Sequence, residues 1–72
     1  MTLSRRVLIR FLEVNGFSFI RGKGGSHLIY SNGKYSVPIP VHGKKDFGED
    51  FIRMVLRETG ISKTDLIDYL NR

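Results

Sequence analysis

The residues in this chain with the clearest chemical potential are two histidines. His27 ends a flexible basic loop, Gly-Lys-Gly-Gly-Ser-His at 22–27, and His42 follows the extended run 37–41. With an ordinary pKa of about 6.5, a histidine can take or give a proton near neutrality. Placed at a ribose hydroxyl or a leaving oxygen, such a group contributes roughly 10² to 10⁴ in rate. Two histidines beside a cationic, glycine-lined backbone therefore suit phosphodiester chemistry.

The groups that would hold a phosphate lie on both sides of the histidines along the chain. Lysines and arginines could steer RNA and stabilise charge that develops on the phosphate, and the backbone amides of paired glycines could approach it closely. We therefore predict that His27 is catalytic. The predicted RNA-binding residues are Arg21, Lys23, Gly24, Gly25, Ser26, His42, Lys44 and Lys45.

Each histidine also has an ordinary structural explanation. His27 could be a strand residue bonded to its neighbours, and His42 could be a plain loop histidine, a phosphate contact or a second proton carrier. We expect no metal, because the chain has no cysteine and no carboxylate lies between the histidines. No other cofactor is expected either, because loop 22–26 lacks the spacing of a nucleotide-binding loop and leads into no helix.

Charge along the chain favours a polyanionic partner. Residues 1–45 contain eight Lys or Arg and one carboxylate, a net charge of +7, whereas residues 46–72 carry −2. Such a surface attracts nucleic acid, with an affinity that falls as salt rises; the alternative is a merely solvated basic surface. Tyr30 and Tyr35 could stack on bases, but filling the sheet or covering its rim explains them better.

The length of 72 residues leaves room for one domain with a small core, and we expect this domain to span residues 1–72. Without cysteine, stability must come from packing or from a partner chain. Arg10 and Glu13 interrupt the apolar stretch near the N-terminus, so we expect no signal peptide and no membrane association. The simplest location is the cytoplasm.

The first half of the chain changes from a helical to an extended hydrophobic period. A helix is predicted at 4–15, capped by Ser4 or Thr2 and ended by Asn15-Gly16. Three antiparallel strands follow, at about 17–21, 26–31 and 35–41, with an Asn-Gly hairpin turn between the last two. The residues predicted to face the core from the helix are Val7, Leu8, Phe11, Leu12 and Val14.

The third strand should lie at an edge of the sheet. Pro38 and Pro40 are two residues apart, so both missing amide hydrogens lie on the same side of the strand. Val37, Ile39 and Val41 then face the core; which face of the second strand is buried stays open. Because antiparallel partners run in opposite directions, the start of the second strand lies beside the end of the third, and the two histidines can meet there.

Two more helices complete an α+β order of helix, three strands, helix, short helix. A capping box of Asp46 and Glu49 is predicted to open the second helix, and Thr59-Gly60 to end it. Ser62 with Asp65 repeats the capping pattern before a short helix. The apolar residues expected on these helices are Phe47, Phe51, Ile52, Val55 and Leu56 on the first and Leu66, Ile67 and Leu70 on the second.

Four motifs follow one another at characteristic spacing: Asn15-Gly16-Phe17, Gly25-Ser26-His27 with Tyr30 three residues on, Val-Pro-Ile-Pro-Val-His at 37–42, and Leu-Arg-Glu-Thr-Gly-Ile at 56–61. In this order the chain resembles the HicA family of bacterial mRNA interferase toxins over essentially its whole length. The resemblance implies a fold similar to double-stranded RNA-binding domains, mRNA cleavage that relies on His27, and inhibition by a HicB antitoxin. For His42 it implies at most an auxiliary role.

One segment departs from the family pattern. Members often have Gly-Thr-Leu at the start of the second long helix, where this chain has Gly-Glu-Asp-Phe at 48–51. Two carboxylates therefore stand at a helix start that is otherwise neutral and could face RNA, although acidic residues also suit the first turn of a helix.

Three functional hypotheses follow. The leading one is the toxin of a type II toxin–antitoxin system, a metal-independent endoribonuclease that acts on mRNA and forms a hetero-oligomer with a HicB-like antitoxin. The second is a non-catalytic RNA-binding module that uses the same basic face. The third is a protein-pairing domain whose cations contact an acidic partner.

Overall fold

The computed structural model describes residues 1–43 and 46–72, and its elements confirm the predicted α+β order of a double-stranded-RNA-binding-like fold. Strands β2, β3 and β4 form a three-stranded antiparallel sheet in that order, and β1 and β5 form a separate antiparallel pair. The helices are α1 (Arg5–Val14), α2 (Glu49–Thr59) and α3 (Lys63–Leu70); the strands are β1 (Leu3–Ser4), β2 (Ser18–Lys23), β3 (His27–Ser31), β4 (Ser36–Pro40) and β5 (Asp46–Phe47).

Helix α1 begins and ends as its sequence predicts. The Ser4 hydroxyl accepts a hydrogen bond from the Val7 amide at 3.2 Å, which satisfies a backbone donor of the first turn. At the other end, the Phe17 amide donates to the Leu12 carbonyl at 2.9 Å across a glycine in the left-handed conformation. This closure returns the chain directly toward the sheet.

The helix ending also explains a wrong prediction. Val14, predicted to face the core, is 59% exposed, whereas Phe17 is 3% exposed. Val14 is the last helical residue, and the reversal after it brings Phe17 onto the helix end in its place. The remaining members of the predicted face are buried or half-buried.

The buried face of the sheet carries alternate residues of β3 and β4. Tyr30 lies opposite Val37, and Leu28 lies opposite Ile39; Val37 and Ile39 are fully buried. His27 and its alternates therefore point to the opposite face, away from the core. The core is a single cluster with these buried members: Leu3, Leu8, Phe11, Leu12, Phe17, Tyr30, Val37, Ile39, Phe47, Ile52, Val55 and Leu66.

The proline strand lies at an edge of the sheet, as predicted. The Val41 amide donates to the Ser26 carbonyl at 3.0 Å, so alternate amides of β4 point toward β3. Pro38 and Pro40 occupy the positions between, where the missing hydrogens face outward. The other edge, β2, contains a bulge at which two residues oppose Ile29.

The start of α2 differs from the prediction. Asp46 does not cap the helix, because it lies in β5 opposite Ser4, and Phe47 pairs with Leu3 instead of belonging to the helix. The N-cap is Gly48, which has no side chain with which to cap the helix. This pairing joins residues far apart in the chain, so the local capping pattern could not reveal it.

The two remaining helix boundaries agree with the sequence. Helix α2 stops at Gly60, whose φ of 74° is the left-handed conformation that glycine adopts without strain. The Ser62 hydroxyl then accepts from the Asp65 amide at 3.0 Å and starts α3. In the described residues, no helix is long and apolar enough to cross a membrane.

Candidate active site

The predicted basic loop is a tight β-turn between β2 and β3. The Ser26 amide donates to the Lys23 carbonyl at 3.3 Å, and the two central residues, Gly24 and Gly25, have φ values of 61° and 73°. A side chain would strain the backbone at both positions, although a β-carbon at either one would meet nothing within 4 Å. Conformation, rather than crowding, therefore requires glycine here, and the turn remains open to a ligand.

His27 is the first residue of β3 and is half-buried. Its Nδ1 lies 3.0 Å from the Ser26 hydroxyl oxygen. A hydroxyl can either donate to or accept from a ring nitrogen, so this bond is compatible with both charge states of the imidazole. Within residues 1–43 and 46–72, Nε2 of His27 has no hydrogen-bond partner. That nitrogen is the ring atom available for proton exchange.

The strand register places cations on the same face as His27. Lys23 lies directly opposite His27, and Arg21 lies opposite Ile29, the next residue of β3 on that face. Both cations are exposed. Because the core occupies the other face, these three side chains belong to one solvent-facing surface, as a phosphate-binding group would require.

His42 reaches the same end of the sheet by a direct contact. Its Nε2 lies 3.0 Å from the Gly25 carbonyl oxygen, and since a carbonyl only accepts, Nε2 carries the proton and donates it. The two histidines thus meet at one turn. With Nε2 engaged, Nδ1 is the ring nitrogen of His42 that has no hydrogen-bond partner among residues 1–43 and 46–72, and the observed contact ties His42 to the glycine turn.

Arg5 is a residue of this region that the sequence did not reveal. Its Nη1 donates to the Val41 carbonyl at 3.3 Å, while the Val41 amide is bonded to the Ser26 carbonyl. Helix α1 is thereby tied to the end of β4 and, through it, to the residue before His27. The sequence did contain a signal for this contact. A cation in the first turn of a helix interacts unfavourably with the helix dipole, which suggests that Arg5 is there to make a contact outside the helix.

Similarity to a known family extends across the whole of this region. A sequence model described as the HicA toxin of bacterial toxin–antitoxin systems matches residues 5–61. The chain belongs to the HicA toxin family. Helices α1 and α2, the Gly-Ser-His turn and the proline edge strand all lie within the matched range, and α3 follows it.

A curated HicA relative supports the same membership. The protein named "Probable mRNA interferase HicA" from Pseudomonas fluorescens (strain Pf0-1) is 35% identical over 52 residues, which cover 72% of this chain and 85% of the relative. No solved structure matches the chain.

A cavity of about 500 Å³ adjoins His42 in this HicA chain. It is lined by Pro40, His42 and residues 46–51, which include the segment that departs from the family pattern. The rings of Phe47 and Phe51 stack there with centroids 4.4 Å apart. The predicted RNA-binding Lys44 and Lys45 lie outside the described residues.

Both carboxylates at the start of α2 have a cationic partner nearby in the fold. Glu49 accepts a 2.8 Å hydrogen bond from the Met1 amino group, and this bond and the ammonium charge lower the pKa of Glu49. Asp50 pairs with Arg53 at 3.3 Å. Within the described residues, no three His, Cys, Asp or Glu side chains are grouped to hold a metal ion.

The two tyrosines differ in what they can offer RNA. Tyr30 is buried beneath Phe19, with ring centroids 6.0 Å apart, and burial raises the pKa of its hydroxyl. Tyr35 is 40% exposed, with the Lys34 ammonium 5.3 Å from its ring. Base stacking on Tyr30 is therefore excluded by its position, and Tyr35 lies at the turn opposite the histidines.

Proposed function

We propose that this chain is a ribonuclease toxin that cleaves mRNA and uses His27 as its proton carrier. The single observation that supports it most is the Gly-Ser-His turn, where the Ser26 hydroxyl orients His27 beside Lys23 in a member of the HicA family. The name of the relative, "Probable mRNA interferase HicA", supports mRNA as the substrate class. Residues 1–72 would act as one domain.

The reaction needs little from the protein because RNA carries its own nucleophile. The ribose 2′-hydroxyl loses its proton to a base and attacks the adjacent phosphorus; the bond to the 5′-oxygen breaks, and that oxygen takes up a proton. The products are a 2′,3′-cyclic phosphate and a 5′-hydroxyl. His27 carries one of these two protons through Nε2, and no metal ion or other cofactor is needed.

The surrounding groups stabilise the phosphate. Arg21 and Lys23, on the same face as His27, attract the RNA and offset charge on the phosphate oxygens. Gly24 and Gly25 are exposed and carry no side chains of their own, so their amides can approach a phosphate. Ser26 orients the histidine, and Lys44 and Lys45 add to the positive charge of this part of the sequence.

His42 is assigned a supporting role. Its bond to the Gly25 carbonyl holds the turn that carries His27, and its remaining ring nitrogen can contact phosphate. This is a more limited role than that of a second proton carrier.

The proposed partner is a HicB-like antitoxin that binds the toxin as a hetero-oligomer and blocks cleavage. Family membership supports a cognate antitoxin, because toxins of this kind occur as pairs with one. The proposed location is the bacterial cytoplasm, where mRNA is found, without membrane association.

A non-catalytic RNA-binding module is the second candidate. The alignment of Arg21 and Lys23 on one face favours RNA binding whether or not a bond is cleaved. Such a module would bind RNA in a salt-sensitive manner and form no product.

Incubation of the purified toxin with a short RNA in EDTA separates the two candidates. The ribonuclease is expected to give 2′,3′-cyclic phosphate ends and to leave a control RNA with 2′-deoxy residues intact. Binding without any product would reject the enzyme in favour of the module. Cleavage that EDTA abolishes would reject the metal-independent mechanism.

A further inference from the structure

A second hollow, of about 350 Å³, lies between α2 and α3 and has an aliphatic floor. Ile52 and Leu56, one helical turn apart on α2, face Leu66 of α3 across it, and Ile61 closes it from the connection between the helices. Leu56 and Ile61 are only half-buried. We call this hollow the α2–α3 groove.

The rim of the α2–α3 groove is cationic. Arg53 and Arg57 lie one turn apart on α2, and Lys63 begins α3 on the other side. The ion pair of Arg53 with Asp50 joins side chains that are 70% and 100% exposed. Such pairs contribute little to stability, so Arg53 can exchange this partner for another carboxylate. The acidic residue lining the groove, Glu49, is bonded to the Met1 amino group. The rim therefore attracts carboxylates.

The composition of the groove favours a protein segment over RNA. Single-stranded RNA is usually bound by aromatic rings on which bases stack, and duplex RNA by contacts to phosphates and ribose hydroxyls. The residues lining this groove supply aliphatic side chains and no aromatic ring. An amphipathic helix that places apolar residues in a groove and acidic residues on its rim matches both features.

We propose that the α2–α3 groove is the docking site for an acidic amphipathic segment of the antitoxin. The inference rests on the proposed function, which supplies the partner. The segment inserts apolar side chains between Leu56 and Ile61 and places carboxylates beside the rim cations Arg53, Arg57 and Lys63.

The position of the groove links docking to inhibition. Glu49 lines both the α2–α3 groove and the cavity beside His42. A partner anchored in the groove can extend past Glu49 toward His42 and toward the turn at 23–26 that carries His27, which we call the histidine turn. Anchoring and inhibition are thereby assigned to neighbouring but separate surfaces.

Charge reversal tests this assignment. Lys63→Glu and Arg53→Glu change the rim, and Arg10→Glu makes the same change of charge on the exposed side of α1. A glutamate at position 63 is compatible with the helix N-terminus and should preserve folding, which circular dichroism can check. Calorimetric titration with the purified antitoxin measures binding, and an RNA-cleavage assay without antitoxin measures activity.

Each rim variant is expected to weaken antitoxin binding about tenfold or more and to keep the parent cleavage rate, while Arg10→Glu binds like the parent. Equal binding by all three variants would overturn the docking site. Loss of RNA affinity rather than antitoxin affinity would also overturn it, by identifying the groove as an RNA site.

A direct map of the interface strengthens the test. In nuclear magnetic resonance spectra of the labelled toxin, antitoxin should shift the amides of Leu56, Ile61 and Lys63; shifts confined to the histidine turn would contradict the proposal. An antitoxin that does not bind the parent chain would reject both this site and the proposed partner. The cleavage assay without antitoxin would still judge the ribonuclease independently.

Discussion

The two hairpin turns of the sheet are built from similar residues but use them differently. At the turn between β3 and β4, the side-chain carbonyl oxygen of Asn32 accepts from the amides of Lys34 and Tyr35 at 2.9 and 2.7 Å. The Ser31 hydroxyl accepts from the Gly33 amide at 3.0 Å. Every one of these side-chain bonds stabilises the turn's own backbone, as in an ordinary Asx turn.

At the turn between β2 and β3, the side chains have different hydrogen-bond partners. Its two left-handed positions are filled by glycines, and no asparagine closes it. The Ser26 hydroxyl is bonded to His27, and His42 crosses from the end of β4 to hold the Gly25 carbonyl. The turn between β3 and β4 is thus held by its own side chains, whereas the turn between β2 and β3 is held by His42, which lies outside it. We propose that this arrangement leaves Ser26 and His27 available for the cleavage reaction.

Equivalent glycine substitutions at the two turns should show the difference between them most clearly. Gly25→Ala and Gly33→Ala each place a side chain at positive φ and should each lower the free energy of unfolding by about 1 to 2 kcal/mol. Only Gly25→Ala should also slow RNA cleavage, by about tenfold to a hundredfold, because it displaces the adjoining histidine. Denaturant unfolding measures the first effect and single-turnover cleavage the second. Equal cleavage by both variants would argue against a special role for the turn between β2 and β3.

Removal of the Arg5 tie should have the next largest effect. Arg5→Met loses the bond to the Val41 carbonyl and should reduce kcat about tenfold with KM nearly unchanged, because the histidine turn is less well held. Arg6→Met, at the exposed neighbouring position of α1, is the matched control and should behave like the parent. If both variants raised KM equally, Arg5 would be a general contributor of charge and not a positioning residue.

The lysines of the two turns should differ in how they affect the salt dependence of RNA binding. Lys23→Gln removes a cation from the face of the sheet that carries His27, and it should reduce the magnitude of the slope of log affinity against log salt by about one. Lys34→Gln, at the opposite turn, should leave that slope near the parent value. Fluorescence anisotropy with a short RNA in a catalytically inactive background gives both slopes, and identical slopes would mean that RNA does not distinguish the turns.

The smallest effect lies outside both turns and concerns acid stability. The Met1 ammonium lowers the pKa of Glu49 in the folded chain. The ionised Glu49 therefore stabilises the fold above the pKa that it has in the unfolded chain, and this stabilisation is lost as the pH falls through its pKa in the folded chain. Between about pH 6 and pH 3, Glu49→Gln should therefore lose slightly less thermal stability than the parent. A larger acid-induced loss in the variant would reverse the assigned sign.

Much of the fold could be predicted from local patterns, because helix caps and strand edges depend on neighbouring residues. Ser4, Ser62 and Gly60 mark helix ends where expected, and the spacing of Pro38 and Pro40 was enough to assign an edge strand. The start of α2 could not be predicted in this way. Its Gly48 cap is fixed by the pairing of β5 with β1, a contact between distant parts of the chain.

The candidate site could be predicted from the sequence to a similar extent. Hairpin geometry was enough to bring His27 and His42 to one end, since it needs only the direction of neighbouring strands. The Arg5 bond and the occupied Nε2 of His42 depend on how α1 and the end of β4 pack, which periodicity does not encode. The catalytic role of His27 stays a prediction.

The most direct test of the central claim is the single-turnover cleavage of RNA by His27→Ala in EDTA, with folding and RNA affinity verified separately. Loss of the proton carrier should reduce the rate constant by about 10² to 10⁴ while RNA binding stays within a few-fold of the parent. A His27→Ala toxin that degrades RNA at the parent rate would contradict the assignment of the histidine turn as the active site.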